Sequence, residues 1–446
     1  MPTCAPQNLF SDLPGIADLF DDANGTISPL IYTDPALYAL ELERVFARSW
    51  LMVAHEGHVP EPGNFFASYM AEDPVIVVRQ KDGSVKVLLN QCRHRGMKLC
   101  RTDAGKAAGF LCSYHGWAYD LAGKLVNVPL QKRSFPTLDK NEWNVRQARV
   151  EIYKGFIFAT WNADAPPVAD YLGDAAYYLD CLLERSPAGY EPIGGVYKWR
   201  VPCNWKFAAE QFASDMYHGI FSHSSPQMAM KMDGPMPNVA EFEGGQFRSA
   251  NGHGTGFYLT DLQWPVRVGQ SGEHVPGFDP SAPLARVTER LGSDRARMTA
   301  QHMTVFPTFS MLSTFDTFRV WHPRGPDEIE VWAFAMVDKA ADEAEREQAR
   351  ISVLRTFAPS GTWEQDDGEN WVEIQRVLRG AEARKTILNA QMGMGEAKDV
   401  NPNFPGAIWN PYAEESARGF YAHWQKLMLD DRPVTPLANA EACHAD

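Results

Sequence analysis

Asn90-Gln91-Cys92-Arg93-His94-Arg95-Gly96, followed after a short interval by Cys112-Ser113-Tyr114-His115-Gly116-Trp117, is the stretch from which the fold of this chain is read. Each segment joins one cysteine to one histidine. Two thiolates and two imidazoles arranged in this way can hold two irons unequally, cysteines on one and histidines on the other. That raises the reduction potential far above that of an all-cysteine cluster. A set of two cysteines and two histidines is also a structural zinc set. Zinc modules, however, usually keep Cys with Cys and His with His, at gaps of two to five residues. Here each segment mixes the two, and a single residue separates Cys92 from His94. An all-cysteine cluster needs four local cysteines, and only Cys92, Cys100 and Cys112 are at hand. The set reads as a Rieske [2Fe–2S] centre held by Cys92, His94, Cys112 and His115, with Cys100 excluded by its spacing.

Outward from this stretch, the neighbouring residues read as short strands and turns. Val75 to Arg79 and Val85 to Asn90 flank Lys81-Asp82-Gly83-Ser84, a hairpin signal. Further strands are expected at Gly109 to Cys112, Leu125 to Val128, Ala148 to Tyr153 and Gly155 to Trp161. Both ligand segments thus fall on strand-to-strand connections, where loops present ligands from a rigid base. Upstream, Asp34-Pro35 opens a helix expected to run to about Trp50, with Leu37, Leu40, Leu42, Val45 and Phe46 as its apolar face. Pro166-Pro167 closes the β-rich region, and beyond it helices and strands mix. Thr317 to His322 and Glu328 to Val337 alternate at period two, with Ile329, Val331, Ala333 and Ala335 on one face. Helices are expected from about Ala340 to Phe357 and from about Glu364 to Leu378. The organisation is α+β, with a small all-β domain inserted into, or preceding, a larger α+β domain.

Bulk properties set limits on function. The 446 residues, 45% of them hydrophobic, suffice for two domains. Lys and Arg number 42 against 56 Asp and Glu, a net charge of −14. Nucleic acid is therefore not expected as a partner, because phosphate binding needs clustered positive charge. No apolar run approaches the roughly twenty residues that cross a bilayer, so no membrane association is expected. Met1-Pro2-Thr3-Cys4 lacks the basic and apolar regions of a secretory signal. Seven scattered cysteines favour free thiols and metal ligands in a reducing cytoplasm.

A second site is suggested downstream. Asn204 through His218 reads as a helix on which Phe207, Gln211, Asp215 and His218 share one face. His223 follows off register, so the helix must end or bend before it if both histidines are to meet one ion. Two histidines alone carry little weight, since most such side chains are ordinary hydrogen-bonding groups. A third candidate lies in Glu364-Gln365-Asp366-Asp367-Gly368-Glu369-Asn370-Trp371. On a helix, Asp367, Trp371, Ile374 and Leu378 form one stripe. A carboxylate heading an apolar stripe points inward, where it needs a metal or a cation. Asp366 shares its face with Asn370 and Glu373 and reads as solvated. The helix dipole, which favours acids at an N-terminus, accounts for Glu364 and Asp366. His218, His223 and Asp367 then match the two-histidine, one-carboxylate face of non-haem Fe(II) oxygenases, which leaves positions open for oxygen.

With these residues in view, the chain resembles the large (α) subunit of the Rieske non-haem iron aromatic-ring-hydroxylating dioxygenases, in the biphenyl/toluene and phenylpropionate branch. The resemblance runs from Tyr32-Thr33-Asp34-Pro35 to Tyr412-Ala413-Glu414-Glu415. It rests most on the two cluster segments, on Asn204 to His223 and on Glu364 to Trp371. It implies an α+β fold: an all-β Rieske [2Fe–2S] domain plus a larger catalytic domain with an antiparallel sheet covered by helices. The implied division is residues 1–50 as a helical segment packing on the catalytic domain, 51–165 as the Rieske domain and 166–446 as the mononuclear iron domain. The matching positions are Cys92, His94, Cys112 and His115 for the cluster, and His218, His223 and Asp367 for the catalytic Fe(II).

The resemblance implies a reaction that adds both atoms of O₂ to an arene, giving a cis-dihydrodiol, with electrons relayed from NADH through a reductase and a ferredoxin. It also implies electron transfer between neighbouring α subunits of a trimer, with a small β subunit beneath as α₃β₃, α₃ alone being the other arrangement. Asp215, three positions before His218, is placed to accept the ring N–H turned away from iron. By resemblance, its other oxygen meets His115 of the partner subunit. Gln211, Phe212, Met216, His302, Phe315 and Trp363 match pocket-lining positions, although aromatic and methionine side chains are more often core. Arg93 and Arg95 flank a cluster ligand, and their expected roles are ion pairing with a neighbouring domain or ferredoxin docking.

One departure bears on substrate. The interval between His218 and His223 is a residue shorter than in the biphenyl and toluene enzymes and matches the naphthalene and phenylpropionate enzymes. The substrate is therefore not carried over from the biphenyl group. The pocket segments are rich in Phe and Met, with no basic residue aimed at a carboxylate, which favours an uncharged mono- or bicyclic arene. The histidine spacing leaves aromatic acids open. The same centres also support monohydroxylation or demethylation. A Rieske electron-transfer protein without oxygenase activity is the remaining alternative, but such proteins are far shorter and lack the second metal set.

Overall fold

The computed structural model describes residues 15–224, 241–259, 275–279, 281–313, 316–396 and 404–437. The chain divides into two compact units. The smaller holds residues 46–171 and the tail from Arg432; the larger holds the segment up to Val45 and Leu172–Asp431. The tail groups with the smaller unit because Ala163 N donates to Thr435 O at 3.0 Å and Asn162 bridges to Pro436.

The smaller unit is built on a seven-stranded antiparallel sheet. Its strands are β1 (Leu51–His55), β2 (Asn64–Met70), β3 (Asp73–Arg79), β4 (Val85–Leu89), β5 (Ala104–Lys106), β9 (Gln147–Tyr153) and β10 (Phe156–Thr160). They lie in the order β1-β10-β9-β4-β3-β2-β5. A three-stranded sheet, β6 (Gly109–Leu111), β7 (Ala118–Asp120) and β8 (Leu125–Asn127), completes the unit. The expected hairpin joins β3 to β4, with Val78 opposite Lys86. Gly83 sits at φ +86°, a conformation side chains disfavour, and Asp82 accepts from the Ser84 backbone N–H. The core of Phe65, Ile76, Val78, Leu88, Trp117 and Tyr119 also contains Cys92 and Cys112, so the ligand loops grow directly out of packed strands.

In the larger unit Asp34 caps α1 (Pro35–Glu41), its Oδ1 accepting from Ala36 N at 2.8 Å and Leu37 N at 3.3 Å. The α-helical run is shorter than the expected one. It stops at Glu41, and a π-helical turn, Leu42–Phe46, follows. The turn takes in one additional residue, which lets both Glu41 and the Val45-Phe46 pair be buried. Glu41 is held there by Trp205 Nε1 (2.8 Å), Lys206 Nζ (2.5 Å) and Trp424 Nε1 (2.7 Å).

An eight-stranded antiparallel sheet forms the body of this unit. Its strands are β11 (Tyr190–Val201), β12 (Gly244–Arg248), β13 (Gly254–Leu259), β14 (Met298–Val305), β15 (Phe309–Leu312), β16 (Thr317–Pro323), β17 (Ile329–Asp338) and β18 (Ile408–Trp409). They lie in the order β11-β17-β16-β15-β14-β13-β12-β18. The period-two pattern of β17 does not mark a solvated face, since Val331 through Asp338 are all buried. The longer helices that bear on the site are α2 (Trp205–Ser214), α3 (Glu343–Thr356), α4 (Thr362–Leu378) and α5 (Glu415–Leu429). Thr304 of β14 donates to Ala209 O of α2 at 2.7 Å, which fastens that helix to the sheet.

Candidate metal centres and active site

The two cysteine-histidine loops are built alike despite their different spacing. In each, a glycine four positions after the cysteine takes a positive φ, Gly96 at +74° and Gly116 at +71°. Each glycine N–H returns to the cysteine carbonyl, Gly96 to Cys92 at 2.9 Å and Gly116 to Cys112 at 3.0 Å. Each cysteine N–H reaches a carbonyl one residue further on, that of Met97 or Trp117, at 2.8 Å. The turns place Cys92 and Cys112 inside and turn His94 and His115 outward, His115 being exposed. The two imidazole rings are 4.5 Å apart, and Trp117 stacks on His94 at 5.0 Å. Burial and the neighbouring Cys112 hold the Cys92 thiol above its usual range, in spite of nearby hydrogen bonds. His94 Nδ1 is buried with no hydrogen-bond partner. A two-iron cluster that takes inner thiolates and outer imidazoles suits this donor set. Cys100 points elsewhere, its Sγ 3.4 Å from Thr102 O. Arg93 is tied within its own unit, donating to Asn144 O at 2.9 Å and lying over Trp143.

In the larger unit His218, His223 and Asp367 converge. His218 Nε2 lies 3.1 Å from His223 Nε2 and 3.3 Å from Asp367 Oδ1, and His223 Nε2 lies 3.5 Å from that oxygen. Ligands at right angles about an ion, with bonds of about 2.1 Å, are separated by on the order of 3 Å. A trans pair would be separated by about 4 Å at such bond lengths. All three edges are short, so the donors fit one face of an ion and leave the opposite face free. Asp367 Oδ1 is buried without a hydrogen bond, as a carboxylate awaiting a cation would be. His218, with 19% of its side chain exposed, is the most open of the three.

The helix expected through His218 ends earlier. α2 stops at Ser214, and Asp215 turns the chain, its Oδ1 accepting from the backbone of Tyr217 and of His218 at 3.0 Å each. Gln246 imposes that end. Its amide donates to Ser214 O and to Pro411 O, and its carbonyl accepts from Ser214 Oγ. His218 Nδ1 lies 2.7 Å from the Asp215 main-chain oxygen and 3.4 Å from its carboxylate. Burial opposes ionisation of Asp215, but His218 brings its carboxyl down to about 2.

Three expectations about α4 are corrected. Asp366, read as solvated, has Oδ2 3.2 Å from His223 Nδ1. Glu364 is buried and ion-paired with buried Arg319, so it is not a surface acid at a helix start. Ile374 is exposed, and the buried stripe continues through Gln375, which accepts from Asn204 N at 2.8 Å.

Five of the six expected pocket residues lie around this set. Gln211 Nε2 is 3.4 Å from His218 Nε2, while its carbonyl accepts from Trp371 Nε1 at 2.7 Å. The Trp363 ring lies 4.8 Å from that of His223. Phe212 and His302 are neighbours, with ring centres 6.2 Å apart. A Cβ on Gly256 would stand 2.7 Å from Met216 Cγ and 3.2 Å from His302 Cε1, so only glycine leaves room for both. Phe315 lies outside the described residues. Arg319, stacked over Phe212, is a cation already answered by Glu364.

Comparison with known proteins shows the family of the chain. Residues 168–430 match the family described as ring hydroxylating alpha subunit (catalytic domain), and residues 49–152 match the Rieske [2Fe-2S] domain. The chain is 53% identical to the biphenyl 2,3-dioxygenase subunit alpha of Rhodococcus jostii (strain RHA1), covering 93% of this chain and 91% of that one. It is also 53% identical to a benzene 1,2-dioxygenase subunit alpha of Pseudomonas putida, covering 93% of each. The crystal structure of naphthalene 1,2-dioxygenase from Rhodococcus sp. bound to indole superposes with a TM-score of 0.82 at 35% identity, covering 94% of this chain and 97% of that one. None of the described helices is long and apolar enough to cross a membrane.

Proposed function

The chain belongs to the ring-hydroxylating α-subunit family, and from that premise we propose that it is the terminal-oxygenase α subunit that cis-dihydroxylates an uncharged mono- or bicyclic arene. The observation that carries this reading is the three-sided His218/His223/Asp367 set in a chain that also holds two mixed cysteine-histidine loops. The cofactors are the Rieske [2Fe–2S] cluster and mononuclear iron, with NADH as the indirect electron source. When bound, the cluster delivers electrons singly, and the iron provides the place where O₂ meets the arene.

The remaining work falls to the protein. Cys92, His94, Cys112 and His115 hold the cluster in the smaller unit, and His218, His223 and Asp367 hold iron in the larger. Contacts on Nδ1 keep the imidazoles of His218 and His223 turned so that Nε2 is offered to the metal. Phe212, Met216, His302 and Trp363 form the apolar surroundings that orient the ring and exclude water, with Gln211 closing the side next to His218. Among the described residues around the metal set, Arg319 is the nearby cation and it is paired with Glu364, which supports a hydrocarbon over an aromatic acid. The substrates named for the relatives, biphenyl and benzene, are of that class.

The partners we assign are a small β subunit in an α₃β₃ assembly, a ferredoxin and a reductase, in the cytoplasm where NADH is available. Asp215 then links His218 to His115 of the partner subunit. Turnover of an arene panel with ferredoxin and reductase, under labelled O₂, tests the proposal. Two labelled atoms in a cis-diol support it; one labelled atom in a phenol shows monooxygenation instead.

A further inference from the structure

One helix addresses His223 from three sides. From α4, the Trp363 ring packs against the imidazole, Asp367 Oδ1 lies 3.5 Å from Nε2, and Asp366 Oδ2 lies 3.2 Å from Nδ1. Asp366 and Asp367 are adjacent in sequence, so consecutive helical positions reach the two nitrogens of one ring. A turn further on, Asn370 Nδ2 donates to Ser222 Oγ at 3.1 Å, joining the same helix to the residue before His223. His218 is held differently: its Nδ1 is closest to a main-chain carbonyl, which no side-chain replacement removes.

We propose that Asp366 is a positioning residue for the metal site. Its carboxylate keeps the His223 proton on Nδ1, so that the Nε2 lone pair faces the ion, and with Asn370 it clasps the Ser222-His223 segment to α4. Asp366 does not touch substrate; it acts through His223. A ligating imidazole commonly donates its second N–H to a carboxylate, and loss of that acceptor typically costs 10–100-fold in metal affinity or activity. The inference rests on the metal reading of His218, His223 and Asp367.

The test uses the full chain, freed of mononuclear metal and titrated with Fe(II) alone, with Co(II) as a spectroscopic probe of ligand geometry. Asp366→Ala is expected to weaken Fe(II) binding by about 10–100-fold and to alter the Co(II) visible spectrum, with the [2Fe–2S] absorption unchanged. Asp366→Asn, whose amide oxygen still accepts from Nδ1, is expected to restore most of the affinity and the wild-type spectrum. Asn370→Ala, at an exposed position that tolerates truncation, is expected to weaken binding by a smaller factor, and it carries the test if Asp366→Ala does not fold. Wild-type affinity and spectrum in Asp366→Ala and Asn370→Ala overturn the clasp. His223→Ala separates the two levels. Undiminished Fe(II) binding in that variant overturns the metal reading itself, whereas its loss beside wild-type Asp366→Ala and Asn370→Ala overturns the clasp alone.

Discussion

The Nδ1 atom of His218 lies 2.7 Å from the main-chain oxygen of Asp215, closer than to the carboxylate of the same residue at 3.4 Å. The backbone therefore orients the ring, while the carboxylate of Asp215 both makes the turn, accepting from Tyr217 N and His218 N, and stands beside the same ring nitrogen as a charge. Turn and charge can be separated. Asp215→Asn keeps an acceptor for both N–H groups and loses the charge; Asp215→Ala loses both. Both variants are expected to retain the cluster and the mononuclear iron by metal analysis. Turnover is expected to fall by at least about 10–100-fold in each, with Asp215→Asn showing the wild-type Co(II) spectrum. Near-normal product formation by Asp215→Asn would remove the charge from the electron path.

How much of this site was legible beforehand depended on where the deciding force lay. That Cys92, His94, Cys112 and His115 come together could be read because cluster chemistry demands those residue types, whatever surrounds them. Asp367 could be read because a carboxylate heading an apolar stripe has one sensible direction. The end of α2 could not. Asp215 is compatible with a helix interior, and what stops the helix is Gln246, brought from a strand far along the chain. Asp366 was misread for a related reason: its helical face includes Asn370 and Glu373, and its partner His223 comes from another segment. Glu364 looked like a dipole-compensating acid because its cation, Arg319, lies on a strand with no sequence link to α4. Local periodicity reports a face; the partner from elsewhere decides what the face does.

Gln246 is the clearest tertiary determinant of the Asp215 turn. It is fully buried, and both ends of its amide are engaged. Gln246→Leu takes the side-chain donor from the Pro411 carbonyl and leaves the Ser214 carbonyl with the Met216 N–H alone. At about 1–3 kcal/mol for a buried unsatisfied group, the variant is expected to lose roughly 1–3 kcal/mol of stability. Denaturant unfolding of the full chain measures this. A loss within experimental scatter would show that water or a shifted neighbour replaces the amide.

The Arg319–Glu364 pair should be strongly asymmetric to mutation. Burial holds the Glu364 carboxyl up to about 7, even with the Arg319 guanidinium drawing it down and Asp367 adding to the rise. Arg319→Met leaves a buried acid uncompensated, a change that typically costs about 3–5 kcal/mol. Because Glu364 can take up a proton below about pH 7, the loss is expected to be larger at pH 8 than at pH 6. Arg319→Met/Glu364→Gln should recover part of it. Equal losses at the two pH values would contradict the buried-charge account.

His302 gives the stability of the larger unit an acid limit. Its Nδ1 lies 2.9 Å from the Phe212 main-chain oxygen, which places the proton on Nδ1 and the lone pair on Nε2. That Nε2 is buried without a hydrogen-bond partner. Burial lowers the imidazole from its ordinary 6.5 to about 4. Below pH 6.5 the unfolded chain therefore binds a proton that the folded chain refuses. The contribution of neutral His302 is complete above pH 6.5 and drains away as pH falls toward 4. Full loss corresponds to about 3 kcal/mol, at about 1.4 kcal/mol for each pH unit. His302→Asn, whose side-chain amide can still donate to Phe212 O, removes the titrating group. The fall in unfolding free energy between pH 7 and pH 4.5 is expected to be shallower in the variant by up to that amount. Parallel pH profiles for the two proteins would place the acid limit at other buried groups.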